Sequence, residues 1–287
     1  PLEETLAAEG VENILFFLDA GLRSLPLAAL YDGEQFLIEK YSLGLSPSLS
    51  LTDLRYRDVR EVDLLAMGAS EFLNQNPLPT VPVEVGTISD LWPRNSVTLL
   101  NENFTRQNLI AQRQTQGQGI IHLATHAEFQ GGDLSNSYIQ FYGDDRVSFN
   151  QLRELGLSDP PVELLTLSAC QTALGNPEAE LGFAGLAIQA GVKTALASLW
   201  SVSDAATAAL MTRFYSNLTE VPIKAAALRQ AQLSMLRGEV VLEGNRLRGA
   251  RGGTDVELPA SSVAGLPNQA LTHPFYWAPF TLVGSPW

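Results

Sequence analysis

Several absences narrow the function of this chain before any motif is considered. It contains one cysteine in 287 residues, so no disulfide can form within it and the fold does not depend on an oxidising compartment. No apolar run has the length and purity of a transmembrane helix, and the first residues do not read as a secretory signal peptide. We therefore expect a cytoplasmic protein.

Positive charge is also scarce. The chain has 31 Asp and Glu residues against 18 Lys and Arg, which gives a formal net charge of −13. A net negative surface repels nucleic acid and anionic membranes, so we expect neither as a partner, whereas a basic peptide would be attracted. Because the sequence begins at Pro1, we expect a fragment of a longer protein from which an N-terminal regulatory region or partner is missing.

Signals for cofactors are missing as well. No phosphate-binding loop of the G-x-x-x-x-G-K type occurs, and the nearest segment, "GNPEAELG", lacks the lysine. The three histidines are scattered along the chain and do not form a metal-ligand pattern with the single cysteine. The sequence therefore predicts neither a nucleotide switch nor a metal or cofactor enzyme.

What the sequence does contain is an alternation of apolar strands and helices. This alternation predicts an α/β fold with a mostly parallel central sheet that is covered by helices on both faces. Thr105, Asn150 and Ser203 are expected to cap three of the helices. We expect residues 1–60 to be a strand-rich N-terminal extension packed on a core domain of residues 61–287. Within that domain, residues 238–272 are rich in Gly, Pro, Ser and Asn and are predicted to be a long flexible loop.

Two reactive side chains fall at the ends of predicted strands. Cys170 follows the strand of "ELLTLSACQTALG", and His126 follows the strand of "GIIHLATH". Ligands of parallel sheets bind beyond the carboxyl ends of the strands, which would bring both side chains to one edge. Their separation of 170 − 126 = 44 positions is close to the roughly 50 residues between the caspase histidine and cysteine. From these residues alone, a nucleophile with its base and a pair of structural residues both remain open.

Four segments follow one another along the chain: "HLATHAEF", "LLTLSACQTALG", "GLAIQAGVKTALASLWSVSD" and "HPFYWAPFTLVG". In this order they resemble the CHAT family, a caspase-like domain found attached to tetratricopeptide repeats. The family belongs to the same clan as caspases and separase. The resemblance extends upstream through "GLRSLPLAALYDGEQFLIEKYSLGLSPSL" and so covers most of the chain.

The resemblance implies a cysteine endopeptidase with a caspase-like α/β/α sandwich. His126 would be the base and Cys170 the nucleophile. Two backbone N–H groups, those of Ala127 and Cys170, would hold the oxyanion. Relatives commonly have glycine at the position of Ala127, although alanine still supplies an N–H. Ser168 and Thr172 replace the Gln and Gly of the caspase signature, which argues against a true caspase but not against the clan.

The same resemblance suggests which peptide bond is cleaved. In separase-like relatives an acidic residue after a W-x-V-x-D segment lines the pocket for a basic side chain, and "LWSVSD" puts Asp204 at that position. We therefore expect cleavage after Arg or Lys in a protein substrate, with Glu180 as a weaker second candidate for the pocket. From local sequence alone, Asp204 is equally well a first-turn helix carboxylate and Glu180 a solvated charge.

If the enzyme cleaves after arginine, residues 238–272 could themselves be a substrate of it. Arg246, Arg248 and Arg251 lie within six positions of one another and are candidate sites of autocleavage, although an ordinary surface insertion explains them equally.

Two other functions remain open. The chain could be a catalytically silent binding module of the same fold, or a cysteine hydrolase or acyltransferase that acts on a substrate other than a peptide. His122 and His273 are expected to be structural. The aromatic residues Phe275, Tyr276, Trp277 and Phe280 are expected to anchor the end of the sheet, with Trp277 as a further candidate for the wall of the substrate groove.

Overall fold

A computed structural model of the chain describes residues 2–53, 55–128, 137–168, 182–251, 254–264 and 268–287. Cys170 and Glu180 lie outside the described residues. The strands are β1 (Asn13–Phe16), β2 (Ser42–Leu45), β3 (Leu64–Gly68), β4 (Ser96–Leu100), β5 (Ile120–Ala124), β6 (Ala127–Glu128), β7 (Tyr138–Gln140), β8 (Arg146–Ser148), β9 (Leu164–Ser168), β10 (Thr194–Ser198), β11 (Val241–Glu243), β12 (Arg246–Arg251), β13 (Thr254–Glu257), β14 (Gln269–Ala270) and β15 (Phe280–Gly284).

A central sheet of eight strands organises the described part of the chain. Its strand order is β1-β2-β15-β10-β9-β5-β3-β4. Neighbouring strands are parallel except for β10 and β15, which are antiparallel. The carboxyl ends of β3, β4, β5, β9 and β10 therefore lie along one edge of the sheet, which we call the carboxyl edge. The mostly parallel sheet that the sequence predicts is confirmed.

Helices cover this sheet in two groups. In the first group, α3 (Val81–Leu91) contacts α6 (Asp204–Glu220), and α6 contacts α7 (Lys224–Leu236); α3 packs on β3, β4 and β5, and α7 packs on β2. In the second group, α5 (Gly182–Gln189) packs on β10 and β15. It also contacts a 3-10 helix, Phe149–Leu155, which in turn contacts α4 (Arg106–Gln116). This is the predicted α/β/α sandwich. The helices are α1 (Leu2–Ala8), α2 (Leu37–Lys40), α3 (Val81–Leu91), α4 (Arg106–Gln116), α5 (Gly182–Gln189), α6 (Asp204–Glu220), α7 (Lys224–Leu236), α8 (Ala260–Val263) and α9 (Pro274–Trp277).

Burial explains why the central strands read as continuous apolar runs. Every residue of β3, β5, β9 and β10 is buried, as expected for strands that have helices on both faces. The helix caps predicted at Thr105 and Ser203 are confirmed: the Thr105 hydroxyl accepts a hydrogen bond from the Asn108 N–H at 3.1 Å, and the Ser203 hydroxyl accepts one from the Ala206 N–H at 3.3 Å. The cap predicted at Asn150 is wrong, because the 3-10 helix begins one residue earlier and Ser148 is its N-cap.

The first sixty residues contain fewer strands than the sequence suggests. Besides β1 and β2, they form α1, α2 and several short 3-10 helices. β2 pairs with β15, so β1 and β2 extend the central sheet at one side. The apolar segment around Leu27–Ala29 is a 3-10 helix because its buried residues pack on the core without pairing as a strand.

The prediction of a flexible loop over residues 238–272 is wrong where the structure describes this segment. It forms a four-stranded antiparallel sheet with the order β13-β12-β11-β14 and the short helix α8. Buried side chains hold this sheet against the domain, and β12 contacts α6. The strands are only two to six residues long, which is too short for an alternating pattern to stand out in the sequence. The buried residues described in this segment are Val240, Leu242, Leu247, Ala250, Val256, Leu258 and Leu271.

None of the helices in the described ranges is long and apolar enough to cross a membrane.

Candidate active site at the carboxyl edge

The strands that precede His126 and Cys170 are direct neighbours in the central sheet. β5 and β9 pair in parallel with Ala124 opposite Ser168. The pairing continues one residue further, because the Thr125 N–H donates to the Ser168 carbonyl at 3.2 Å. His126 and Cys170 each follow the last residue of their strand by two positions. The side chain of Cys170 itself is outside the described residues.

The backbone around His126 is fixed from two sides. The Thr125 hydroxyl donates to the Gln140 carbonyl at 2.6 Å, and the Gln140 N–H donates to the His126 carbonyl at 2.9 Å. Gln140 is itself buried, and its amide nitrogen donates to three carbonyl oxygens of the following turn. These contacts hold His126 between β9 on one side and β7 on the other.

A backbone carbonyl orients the imidazole ring of His126. The ring nitrogen Nε2 lies 2.7 Å from the Asn76 carbonyl oxygen, and a carbonyl can only accept, so Nε2 carries the proton. In the neutral ring Nδ1 is then the nitrogen that can take up a proton. The Phe72 ring packs against the imidazole at 4.5 Å between centroids and an angle of 61°.

The partial burial of His126 favours its neutral form. Burial lowers the pKa of the imidazole below its usual 6.5, and the hydrogen bond to the Asn76 carbonyl opposes this effect by favouring the charged ring. A neutral imidazole is the form that can accept a proton from a nucleophile.

The N–H of Ala127 is not used in the pairing of β6 with β7. The bond between Gln140 and His126 makes these two residues a hydrogen-bonded pair of the antiparallel ladder. Such pairs alternate with non-hydrogen-bonded ones, so the next pair, Ala127 and Ile139, exchanges no hydrogen bonds and the Ala127 N–H points away from β7. Ala127 is buried, with 4% of its surface exposed.

Asp204 lies at the same edge but makes a contact that the sequence did not predict. It is the first residue of α6, six positions after the end of β10, and its Oδ2 accepts a hydrogen bond from the Thr80 N–H at 3.0 Å. Burial, and secondarily the negative charge of Glu84, raise the pKa of the Asp204 carboxyl group. Within the described ranges, no Lys or Arg forms a salt bridge with this carboxylate.

The loop of residues 69–80, which we call the β3–α3 loop, connects these groups. It supplies Phe72 and Asn76 to His126 and Thr80 to Asp204. Sequence reasoning missed it because a main-chain carbonyl leaves no residue signature. One signal was available: "NQNPLPT" is a turn-rich segment that begins six residues after the end of the apolar run of β3.

Close packing of α3 against β3 holds the end of this loop near the sheet. A Cβ atom on Gly68 would lie 2.5 Å from the Ala124 carbonyl oxygen and 2.6 Å from Cγ1 of Val81. Only glycine leaves room for both contacts without displacing backbone.

His122 takes part in a buried network below the candidate site. Its Nε2 lies 2.9 Å from Oε1 of Glu84 on α3, and both side chains are almost fully buried. The Tyr215 ring packs edge-on to the imidazole, and its hydroxyl is 3.1 Å from the Thr166 hydroxyl on β9. The network connects α3, α6, β5 and β9, which agrees with the structural role expected for His122.

The aromatic residues near the last strand divide into a buried and an exposed set. Trp277 is fully buried and donates to the Thr272 carbonyl at 2.9 Å, so it does not line a groove. Phe275 is 46% exposed and stacks with Trp200, whose indole N–H donates to the Phe275 carbonyl at 3.0 Å. His273 caps α9 by accepting a hydrogen bond from the Phe275 N–H at 3.1 Å. This contact agrees with the structural role expected for His273.

No group of three or more His, Cys, Asp or Glu side chains suited to a metal ion occurs among the residues that the structure describes.

Comparison with solved structures defines the class of fold. The chain is similar to a complex of the pro- and mature domains of RgpB from Porphyromonas gingivalis, with a TM-score of 0.57 and 11% identity over 99% of this chain and 67% of that one. A crystal structure of the Arg-specific cysteine proteinase gingipain R matches with a TM-score of 0.49 and 12% identity, over 86% of this chain and 55% of that one. The first likeness gives this chain the fold of the caspase-like cysteine proteinases.

The family model of the CHAT domain matches residues 1–285, and the chain belongs to the CHAT domain family. The resemblance predicted from the four sequence segments is thereby confirmed. A shorter match links 101 residues to the GTPase Der of Wolinella succinogenes at 32% identity, which is 35% of this chain and 21% of that protein. The chain therefore matches about a fifth of the length of that curated relative.

Proposed function

We propose that this chain is a cysteine endopeptidase in which His126 is the general base and Cys170 the nucleophile. One observation carries the proposal: β5 and β9 are adjacent and in register, and His126 and Cys170 each follow their strand by two residues. Two residues span at most about 7 Å of chain, so we expect Cys170 near the end of β9, at the edge where His126 lies.

The proposed reaction uses the free nitrogen of the imidazole. Nδ1 of His126 accepts the proton of the Cys170 thiol, and the thiolate attacks the carbonyl carbon of the scissile peptide bond. The resulting oxyanion is stabilised by the N–H groups of Ala127 and Cys170. The imidazolium then protonates the departing amine, which leaves an acyl-thioester on Cys170. Water, deprotonated by His126, hydrolyses this thioester and restores the thiol.

We further propose that the substrate is a protein with Arg or Lys before the cleaved bond. Asp204 supports this proposal because its carboxylate is partly buried, makes no salt bridge among the described residues and lies at the carboxyl edge. A basic side chain of the substrate could form a salt bridge with the Asp204 carboxylate. Glu180 remains a second candidate for this pocket. In keeping with the sequence, we propose that the domain works in the cytoplasm as part of a larger regulated protein.

Labelling of the single thiol tests the dyad. A peptide that ends in arginine and carries a thiol-selective alkylating group should modify the wild-type protein, and any adduct on a cysteine must be on Cys170 because no other cysteine exists. We expect His126→Ala to lower the labelling rate about 100-fold, since a general base contributes 10²–10⁴ to such steps. Mass spectrometry of the intact protein gives the rate.

A second probe distinguishes a thiol that is activated in a catalytic site from a thiol that is only exposed to solvent. The same alkylating group on a peptide that ends in aspartate should label the wild type slowly. Equal labelling of wild type and His126→Ala by the arginine probe would indicate an exposed thiol and contradict the dyad. It would favour the silent binding module.

A further inference from the structure

The β3–α3 loop is fixed at its beginning by one side chain from the neighbouring strand end. Oδ1 of Asn101 accepts two hydrogen bonds from Ser70, one from its N–H at 2.9 Å and one from its hydroxyl at 3.2 Å. The loop then closes on itself, because the Leu78 N–H donates to the Ser70 carbonyl at 3.0 Å. Ser70 is therefore the residue through which both the entry and the exit of the loop are held.

The conformation of Asn101 is unusual and suits this role. Its φ of +47° makes it the one residue other than glycine with a positive φ in the described part of the chain. Asparagine tolerates this left-handed conformation better than most residues. Asn101 directly follows β4, and Gly68 pairs with Leu100, so the register of β3 and β4 brings its side chain next to the start of the loop.

We propose that Asn101 is a positioning residue for His126, which acts through Ser70 and the β3–α3 loop to hold the Asn76 carbonyl against the imidazole. Asn101 touches neither the imidazole nor the substrate in this scheme. Six residues beyond Ser70, the Asn76 carbonyl accepts a hydrogen bond from the Nε2–H group and so leaves Nδ1 as the base. If the loop is not held, this carbonyl moves and the ring loses its fixed tautomer and orientation. The catalytic part of the proposal rests on the proposed function of His126, whereas the positioning itself does not.

Two substitutions at one position separate the side chain from the backbone. Asn101→Gly keeps the positive φ but removes the acceptor for both hydrogen bonds. Asn101→Asp keeps an acceptor oxygen and the tolerance for this backbone conformation. The carboxylates that contact the loop, Asp144 at Asn74 and Asp204 at Thr80, are the same in both variants.

Nuclear magnetic resonance of the imidazole nitrogens gives a readout that does not require activity. The chain has three histidines, so the signals of His126 can be assigned with a His126→Gln variant and those of His122 serve as a reference for the intact fold. In Asn101→Gly we expect a mixture of tautomers at His126 and a lower pKa than in the wild type, because the lost carbonyl bond had favoured the charged ring. Asn101→Asp should retain the wild-type tautomer, and its added negative charge can only raise the pKa of His126, which is opposite to the fall expected in Asn101→Gly.

Kinetics add the second readout. We expect kcat for an arginine peptide to fall about tenfold in Asn101→Gly with KM nearly unchanged, and to be largely restored in Asn101→Asp. A wild-type tautomer and pKa of His126 in Asn101→Gly would overturn the proposal. Should this variant not fold, Ser70→Ala replaces it, because it removes one of the two hydrogen bonds. An unchanged His126 in Ser70→Ala would overturn the proposal equally. If no peptide is cleaved even by the wild type, the proposed function fails while the resonance result still decides the role of Asn101.

Discussion

At the scale of single residues, Asp204 carries two interactions that can be separated. Its Oδ2 holds the Thr80 N–H, and its negative charge is the feature proposed to select a basic substrate side chain. An asparagine at this position keeps an oxygen that can accept from Thr80 but has no charge. The substitution Asp204→Asn therefore tests specificity without removing the contact with the β3–α3 loop.

We expect Asp204→Asn to lower kcat/KM for peptides with Arg or Lys before the cleaved bond by about 10- to 100-fold. The reason is that a hydrogen bond to a charged group contributes about 1.5–3 kcal/mol. A matched peptide with citrulline, which has the shape of arginine but no charge, should be cleaved equally by both proteins. Steady-state kinetics with the two peptides measure the difference.

Asp204→Ala provides the contrast to this result, because it removes the acceptor as well as the charge. We expect it to impair cleavage of both peptides. If Asp204→Asn slowed both peptides to the same extent, the role of Asp204 would be structural and the basic preference would have to come from another residue.

At the scale of elements, the three clustered arginines lie in a paired strand, β12, and not in the flexible loop that the sequence predicts. Arg246, Arg248 and Arg251 belong to a strand that pairs with β11 on one side and β13 on the other. Arg248 also forms a salt bridge with Glu243 at 3.0 Å. A peptidase needs its substrate chain free of other pairing, so cleavage here requires local opening of the small sheet. Autocleavage stays a prediction, and its rate should depend on the stability of this sheet.

We expect the pure wild-type protein to remain intact at these arginines over hours and Leu247→Ala to be cleaved there. Leu247 is fully buried in β12, and removing a buried leucine side chain costs about 2–5 kcal/mol. Mass spectrometry of the incubated proteins identifies fragments that end at Arg246, Arg248 or Arg251. Leu247→Ala combined with Cys170→Ala is the control and should stay intact. Fragments that form as fast in the wild type as in Leu247→Ala would contradict this protection.

At the scale of the whole molecule, a buried lysine makes stability depend on pH. Lys224 at the start of α7 has 1% of its surface exposed, and its ammonium group donates to the Trp287 carbonyl. Burial lowers the pKa of Lys224 from its usual 10.5 to about 8. The folded protein therefore gives up this proton at a lower pH than the unfolded chain, so the contribution of Lys224 to stability rises between about pH 8 and pH 10.5.

We expect Lys224→Met to be more stable than the wild type at pH 7 and to lose this advantage by about pH 10. A difference of 2.5 pKa units corresponds to about 3 kcal/mol, from which the lost hydrogen bond to Trp287 subtracts about 1 kcal/mol. Urea unfolding of both proteins at several pH values gives the free energies of unfolding. A constant difference between the two proteins from pH 7 to pH 10 would mean that Lys224 does not titrate in this range.

The sequence by itself determined the central sheet and the edge at which the candidate site lies. Continuous apolar runs alternating with capped helices can bury their surface only as a covered, mostly parallel sheet. Parallel strands then present their carboxyl ends on one side, which brings the ends of the strands before His126 and Cys170 together. These properties follow from local patterns of side chains, and such patterns are visible in the chain.

Only the tertiary structure decided what surrounds His126 and what residues 238–272 form. The contacts of His126 with Asn76, of Asp204 with Thr80 and of Asn101 with Ser70 all use backbone groups of one loop. Every residue has such groups, so no residue type marks them, and the partners are 31 to 124 positions apart along the chain. The small sheet escaped prediction for a related reason, since its short strands are stabilised by burial against α6 and not by a pattern of their own.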